Sequence, residues 1–391
     1  MTTVYVGSTK ADRSKQPRQL SVVLRPSEMA SRNVSRVTTE FMQRSEDIVE
    51  SAPSDALAVD KILRFQREYF KGREKPSIYD VVQMATEEVQ YALDQGGDTG
   101  EQWYEESMSK VRSILTTQYP NLASDTEWDF FLAVLAVTSP GSAPKSNFRA
   151  AVTVYATYER TGKIPKLNPA TGKAFSIAST ANLTRFEKLI KRYETKAELV
   201  EFLNGVSTSG ELRAIGAKIS GQHDEAAFNS MVMGEKVGMF YQSMRGTEGA
   251  VTVDRWAIRS FYRWTGNLRE GMVSGDVAGE RDRGIDDTMS TEDRRNVEYV
   301  MQTVGDHLGL SARQVQAVMW YYEKRLYKKL GMGKLAAATD DFAKIAEAEY
   351  LQKSSDVLSN ADILSDIHAM IRSGAMPTFR AFLSAIMEVR V

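Results

Sequence analysis

The sequence predicts an all-α protein built from many helices. Three observations carry this. Apolar residues recur at the three-to-four spacing of an amphipathic helix through most of the chain, no segment alternates convincingly with the period of two that marks a strand, and caps and breakers punctuate the pattern. With 391 residues, 42% of them hydrophobic, 26% charged and only 10 prolines, the chain can bury a large core and has the composition of a folded globular protein.

Residues 1–36 carry Lys10, Arg13, Lys15, Arg18, Arg25, Arg32 and Arg36 against Asp12 and Glu28, with little periodicity, and read as a flexible basic arm. A helical core follows over 37–265. In 54–70, Leu57, Ile62, Phe65 and Tyr69 fall near one stripe; Pro76 opens the next helix, which stops at Gly96-Gly97; a third spans 101–119 and is ended by Pro120. From Asp125 to Pro140 a cap-like aspartate leads into a run apolar on nearly all sides, the pattern of a central buried helix. An amphipathic helix over 146–161 precedes a loop over 162–180 rich in Pro, Gly and Lys, long enough to be a functional element. Short helices are predicted over 182–193, 195–204 and 210–218, then longer ones over 225–244 and 254–264. A Gly- and Asp-rich loop over 266–287 separates this core from a C-terminal helical region, 288–391, with helices over 290–308, 311–330, 336–351, 361–371 and 378–388. No fixed-period repeat is visible.

The absence of cysteine excludes disulfides, thiolate zinc sites, Cys nucleophiles and cysteine-ligated clusters together. His223, His307 and His368 lie in separate segments without ligand spacing, so no metal and no cofactor is expected. The first residues lack a charged n-region and an apolar h-region, and no apolar run approaches the roughly 18 residues that span a bilayer, which predicts a cytoplasmic protein without a membrane partner. A net charge of −1 gives no reason to expect a polyanion, but charge is unevenly placed: between Lys145 and Arg192 ten basic residues face two acidic ones. A solvated loop face explains this, and so does a phosphate-contacting surface.

The most informative stretch is Met-Val-Met-Gly-Glu-Lys (231–236), followed 18 residues after its lysine by Asp254 in Val-Thr-Val-Asp-Arg-Trp (251–256). A glycine turn that opens a helix aims backbone N–H groups outward, a ready site for a phosphate, and a second helix opening at Asp254 can present Lys236 and Asp254 to one cleft. The structural alternatives are that Asp254 is only a helix cap, that Lys236 is a solvated surface lysine, and that Trp256, Phe261, Tyr262 and Trp264 pack a core rather than stack on bases.

With Gly234-Glu-Lys236, Val253-Asp254 and the upstream apolar helix, polar turn and Asn147, residues 125–265 resemble the helix-hairpin-helix DNA glycosylase superfamily. The resemblance implies a two-lobed helical fold with helical extensions, a hairpin gripping a DNA phosphate, a base flipped from the stack, Asp254 facing the sugar as positive charge develops there, and Lys236 as a candidate amine nucleophile at C1′. Lys145, Asn147, Arg149, Gly234 and Arg255 are the candidate DNA contacts. The chain departs from the family pattern at Val232, where a further glycine is usual, at Arg255-Trp256 after the aspartate, and at Pro140, near the place of a wedge-like glutamine. A weaker resemblance, over Leu308 to Arg325, is to phage-encoded relatives associated with thymine hypermodification. The expected activity is therefore cleavage of the N-glycosidic bond of a modified or damaged base. Group transfer to a modified thymine, a non-enzymatic DNA-binding accessory role, and a helical assembly role with accidental similarity are the alternatives.

Overall fold

The computed structural model describes residues 76–94, 99–168, 172–265, 290–329 and 341–351, together with four short strands, Thr2–Tyr5 (β1), Gln19–Val22 (β2), Arg269–Glu270 (β5) and Ile285–Asp286 (β6). It is mostly helical, as predicted. The helices are α1 (Ile78–Asp94), α2 (Met108–Gln118), α3 (Asp125–Thr138), α4 (Pro144–Thr161), α5 (Ile177–Ile190), α6 (Lys196–Asn204), α7 (Ser209–Ala214), α8 (Glu235–Arg245), α9 (Arg255–Trp264), α10 (Thr291–Leu308), α11 (Ala312–Lys329) and α12 (Phe342–Ala346). The helices predicted over 54–70, 361–371 and 378–388 lie outside the described residues.

Strands are the first correction. β1 pairs antiparallel with β2 inside the segment read as a flexible arm, β5 pairs with β6 inside the 266–287 loop, and Val206–Thr208 (β3) pairs with Ala226–Phe228 (β4). Strands of two to four residues are too short to display a period of two. The helix predicted over 225–244 is the second correction. Its first part is β4 followed by a 3-10 turn, Asn229–Met233, and the helix begins only at Glu235, because Gly234 adopts φ 114°, a conformation that L side chains rarely take. Two starts come earlier than predicted. Pro144 at the first position of α4 presets its φ, and Ser176 caps α5 by accepting from Ser179 N at 3.1 Å.

Among the described residues two hydrophobic cores form. One gathers around α3, whose Phe130, Phe131, Leu132 and Leu135 are fully buried, each stabilising by about 1.5–3 kcal/mol. It also takes in α2, α4, α8 and α12. The other joins α1, α9, α10 and α11 through Val81, Val89, Ile258, Phe261, Val300 and Val315. The helices on either side of residues 266–287 thus share one core. Helix α11 lies on the seam: Val315, Val318, Met319 and Tyr322 face the second core, whereas Ala317 and Tyr321 face the first.

The approach of α8 to the 3-10 turn is close. Ser230 Oγ donates to Gly238 O at 3.0 Å, Gln242 Nε2 donates to Ser230 Oγ at 3.1 Å, and a Cβ on Gly238 would stand 2.5 Å from the Ser230 and Met231 backbone. We expect Gly238→Ala to destabilise the protein by about 1–3 kcal/mol, overriding the roughly 1 kcal/mol that alanine gains over glycine inside a helix. A lowered urea midpoint at unchanged m would register it; a raised midpoint would mean that the turn yields.

Candidate functional site

A cavity of about 550 Å³ opens between the two cores. That volume lies within the roughly 300–1,000 Å³ of small-molecule sites. Its walls come from the turn between α3 and α4, the first turns of α8 and α9, and one face of α11.

Asp254 caps α9. Its Oδ1 accepts from Trp256 N and Ala257 N, each at 2.9 Å, while Oδ2 makes no hydrogen bond to the described residues. The cap and a role in the cavity are therefore compatible, because one oxygen orients the group and the other remains available. Lys236 lies in the first turn of α8 on the wall of the same cavity, so both residues line one cavity. No side chain caps α8 at Gly234. The neighbouring Glu235 carboxylate is engaged elsewhere, accepting from Ser220 N and lying 3.6 Å from Arg294 Nε. Arg185 donates to Met233 O at 2.9 Å and fixes the entry to this turn.

Asn147 and Arg255 also line the cavity. Asn147 is 2% exposed and its Oδ1 accepts from Thr138 Oγ1 at 2.7 Å. It is the fourth residue of α4, inside the helix and not its cap. Gly234, Lys145 and Arg149 do not line it. Arg149 forms an ion pair with Glu349 at 2.6 Å, and Lys145 lies 3.9 Å from the same carboxylate. A phosphate at that point would have to compete with Glu349. Lys163 and Lys166, by contrast, are exposed on the loop after α4, whose far end is tied to the cavity rim by Ser176 Oγ donating to Pro140 O at 3.2 Å.

The remaining wall is aromatic and was not picked out from the sequence. Trp103 packs against Tyr104, Phe240, Trp320 and Phe342 with ring centroids 4.7–6.3 Å apart. Lys324 Nζ lies 4.4 Å from the Trp320 ring centroid and 6.0 Å from that of Trp256, and Arg259 covers Trp256 at 4.8 Å. Such contacts return about 0.5–2 kcal/mol each, a partial offset for holding the ammonium of a lysine only 5% exposed. Tyr104 donates to Gln316 Oε1 at 2.7 Å, and burial holds its phenol well above the usual range, so it remains protonated. The available signal was the spacing of Gln316, Ala317, Trp320 and Lys324, which puts them on one helical face.

Behind the Lys236 wall, Glu298 of α10 meets Arg294, Glu235, Arg295 and Glu225. Arg295 pairs with Glu225 at 2.6 Å and Arg294 leans on Glu235, so burial prevails and pushes the Glu298 carboxyl from 4.5 up to about 7. The folded state then holds this proton more tightly than the unfolded chain. Its stabilising contribution is full below pH 4.5 and is lost as pH rises through about 7. Glu298→Gln is expected to gain about 1–2 kcal/mol over wild type at pH 8, after allowance for solvent at a partly exposed side chain, and nothing near pH 4.5. Urea titrations across pH read this directly; a pH-independent difference would rule the titration out.

Among the described residues no helix is long and apolar enough to cross a membrane. Neither the curated proteins nor the solved structures contain a match to this chain. Residues 71–325, which include both cores' principal helices and nearly the whole cavity wall, match the model of a family of unknown function (DUF7178), and the chain belongs to that family.

Proposed function

We propose that this protein acts on DNA, taking a modified or damaged base out of the stack and breaking its N-glycosidic bond. The observation that carries the reading is that Asp254 and Lys236 lie on the walls of one base-sized, aromatic-lined cavity, with a carboxylate oxygen left over from capping α9. Asp254 stabilises the oxocarbenium-like sugar as the bond breaks. Trp103, Phe240, Trp256 and Trp320 give the flipped base apolar faces to stack on. The uncapped start of α8 offers N–H groups to a backbone phosphate, and the exposed lysines after α4 extend the contact along the strand. Val232, where the helix-hairpin-helix glycosylases usually have a glycine, is buried in the 3-10 turn, and no non-glycine residue among those described has positive φ. A water adds to C1′ after the base departs; attack by Lys236 would leave an imine trappable with borohydride.

The test is mass spectrometry of nucleosides and strand integrity after incubating the protein with DNA containing thymine, 5-hydroxymethyluracil and common lesions. Loss of a base supports the reading. A heavier base with an intact strand would replace excision by group transfer, and unchanged DNA despite salt-sensitive binding would reduce the protein to a DNA-binding factor.

A further inference from the structure

We infer that Asn147 and Gln316 select the base that this cavity takes, each donating from its carboxamide N–H groups to a carbonyl oxygen, so that the cavity prefers an oxo base to its amino counterpart. The inference rests on the proposed reading of the cavity as a base pocket. Asn147 of α4 and Gln316 of α11 both line it, and they are only 2% and 5% exposed. In each the oxygen is turned to a neighbouring hydroxyl. Asn147 Oδ1 accepts from Thr138 Oγ1 at 2.7 Å, and Gln316 Oε1 accepts at 2.7 Å from Tyr104, whose phenol burial keeps protonated. The nitrogens are different. Neither Asn147 Nδ2 nor Gln316 Nε2 makes a hydrogen bond to the described residues, and neither is sealed from solvent. Part of the little surface that these two residues keep therefore lies at the amide nitrogens, which can only donate.

A buried donor left without an acceptor is costly, and that cost sorts ligands. A ring carbonyl meets the amide, whereas an exocyclic amine in the same place is a second donor that leaves both groups unpaired. Uracil and cytosine share size and ring shape, as do hypoxanthine and adenine, and in each pair a carbonyl oxygen stands where the partner carries an amine. The aromatic wall of Trp103, Phe240 and Trp320 does not separate them, because every base offers a face for stacking. The amides do. Asn147→Leu and Gln316→Met remove the donors at similar volume without stranding either hydroxyl, since Thr138 Oγ1 also lies 2.9 Å from Val134 O and the Tyr104 hydroxyl 3.3 Å from Thr252 Oγ1.

Equilibrium dialysis of labelled uracil, cytosine, hypoxanthine and adenine is to be set beside single-turnover release of the same four bases from oligonucleotides, with wild type, Asn147→Leu, Gln316→Met, the double variant and Gln316→Glu. We expect wild type to hold uracil over cytosine, and hypoxanthine over adenine, by about 10- to 100-fold, and the double variant to do so by less than about threefold. Gln316→Glu puts an acceptor where a donor stood and should move the preference toward cytosine and adenine, a change that a purely structural glutamine would not produce. Equal affinity of wild type for oxo and amino bases, or a preference that the double variant keeps, overturns the inference. Tighter binding of cytosine and adenine would mean that the amide oxygens face the cavity, and overturns it too. An oxo preference that the variants erase, with no base released from any oligonucleotide, removes base excision and leaves the inference standing. Neither binding nor release by wild type removes both. Should the double variant fail to fold, the reversal in Gln316→Glu decides.

Discussion

Asp254→Asn is expected to leave the protein folded and to cut base release by about 100- to 1,000-fold, the scale seen when one preorganised electrostatic partner of a transition state is removed. The separation follows from how the carboxylate divides its work. Oδ1 takes the Trp256 and Ala257 N–H groups, and an asparagine oxygen can take both, since Asn and Asp are equally good caps. What asparagine lacks is the charge. Asp254→Ala should lose release and also about 1 kcal/mol of stability, because two N–H groups at the start of α9 lose their acceptor. Thermal unfolding and nucleoside mass spectrometry on the same preparations separate these effects. Full release by Asp254→Asn would reduce Asp254 to a helix cap and leave the cavity without its proposed carboxylate.

Several parts of this arrangement were legible in the sequence because they depend on neighbours along the chain. Helix α3 announced itself by an apolar surface on nearly all sides, α9 by the aspartate at its start, and the presence of Lys236 and Asp254 on the wall of one cavity by an 18-residue spacing that leaves room for one helix and a return. Other parts depend on partners far away. The 3-10 turn over Asn229–Met233 has an apolar pattern that suits a helix equally well, and it is the Gly234 backbone that starts α8 afresh. Arg149 looked available for a phosphate because Glu349, its partner 200 residues later, leaves no local trace. Trp320 stands one turn before Lys324 on the same helix, but only the convergence of α9 and α11 brings Trp256 to it as well. The loop over 266–287 resembles a domain boundary by composition, yet the helices before and after it interdigitate in one core.

That core is pinned by charges, and the largest effect on stability is expected there. Arg263 of α9 donates to both oxygens of Glu88 on α1, at 2.6 and 2.7 Å, and to Glu323 on α11 at 2.8 Å. Trp264 Nε1 adds a bond to Glu88 and Ser260 Oγ one to Glu323. All three charged side chains are buried, with Arg263 4%, Glu88 3% and Glu323 0% exposed. Burial alone would lower the Arg263 pKa, but the two carboxylates outweigh it and hold the guanidinium firmly protonated. Arg263→Met leaves two carboxylates in an apolar core with no cation between them, and removing one member of a buried ion pair typically costs about 3–5 kcal/mol. We expect at least that loss in urea unfolding, enough to unfold a marginally stable protein. Adding Glu88→Gln and Glu323→Gln to the same chain should recover most of it, since the cost comes from stranded charge rather than lost volume. The network joins α1, α9 and α11, so the helix that carries Asp254 and the helix that carries Lys324 are clamped by it, and the loosened variant should lose base release before it loses helical content. An Arg263→Met protein less than 1 kcal/mol weaker than wild type would mean that water reaches these carboxylates and that the clamp does not set the cavity.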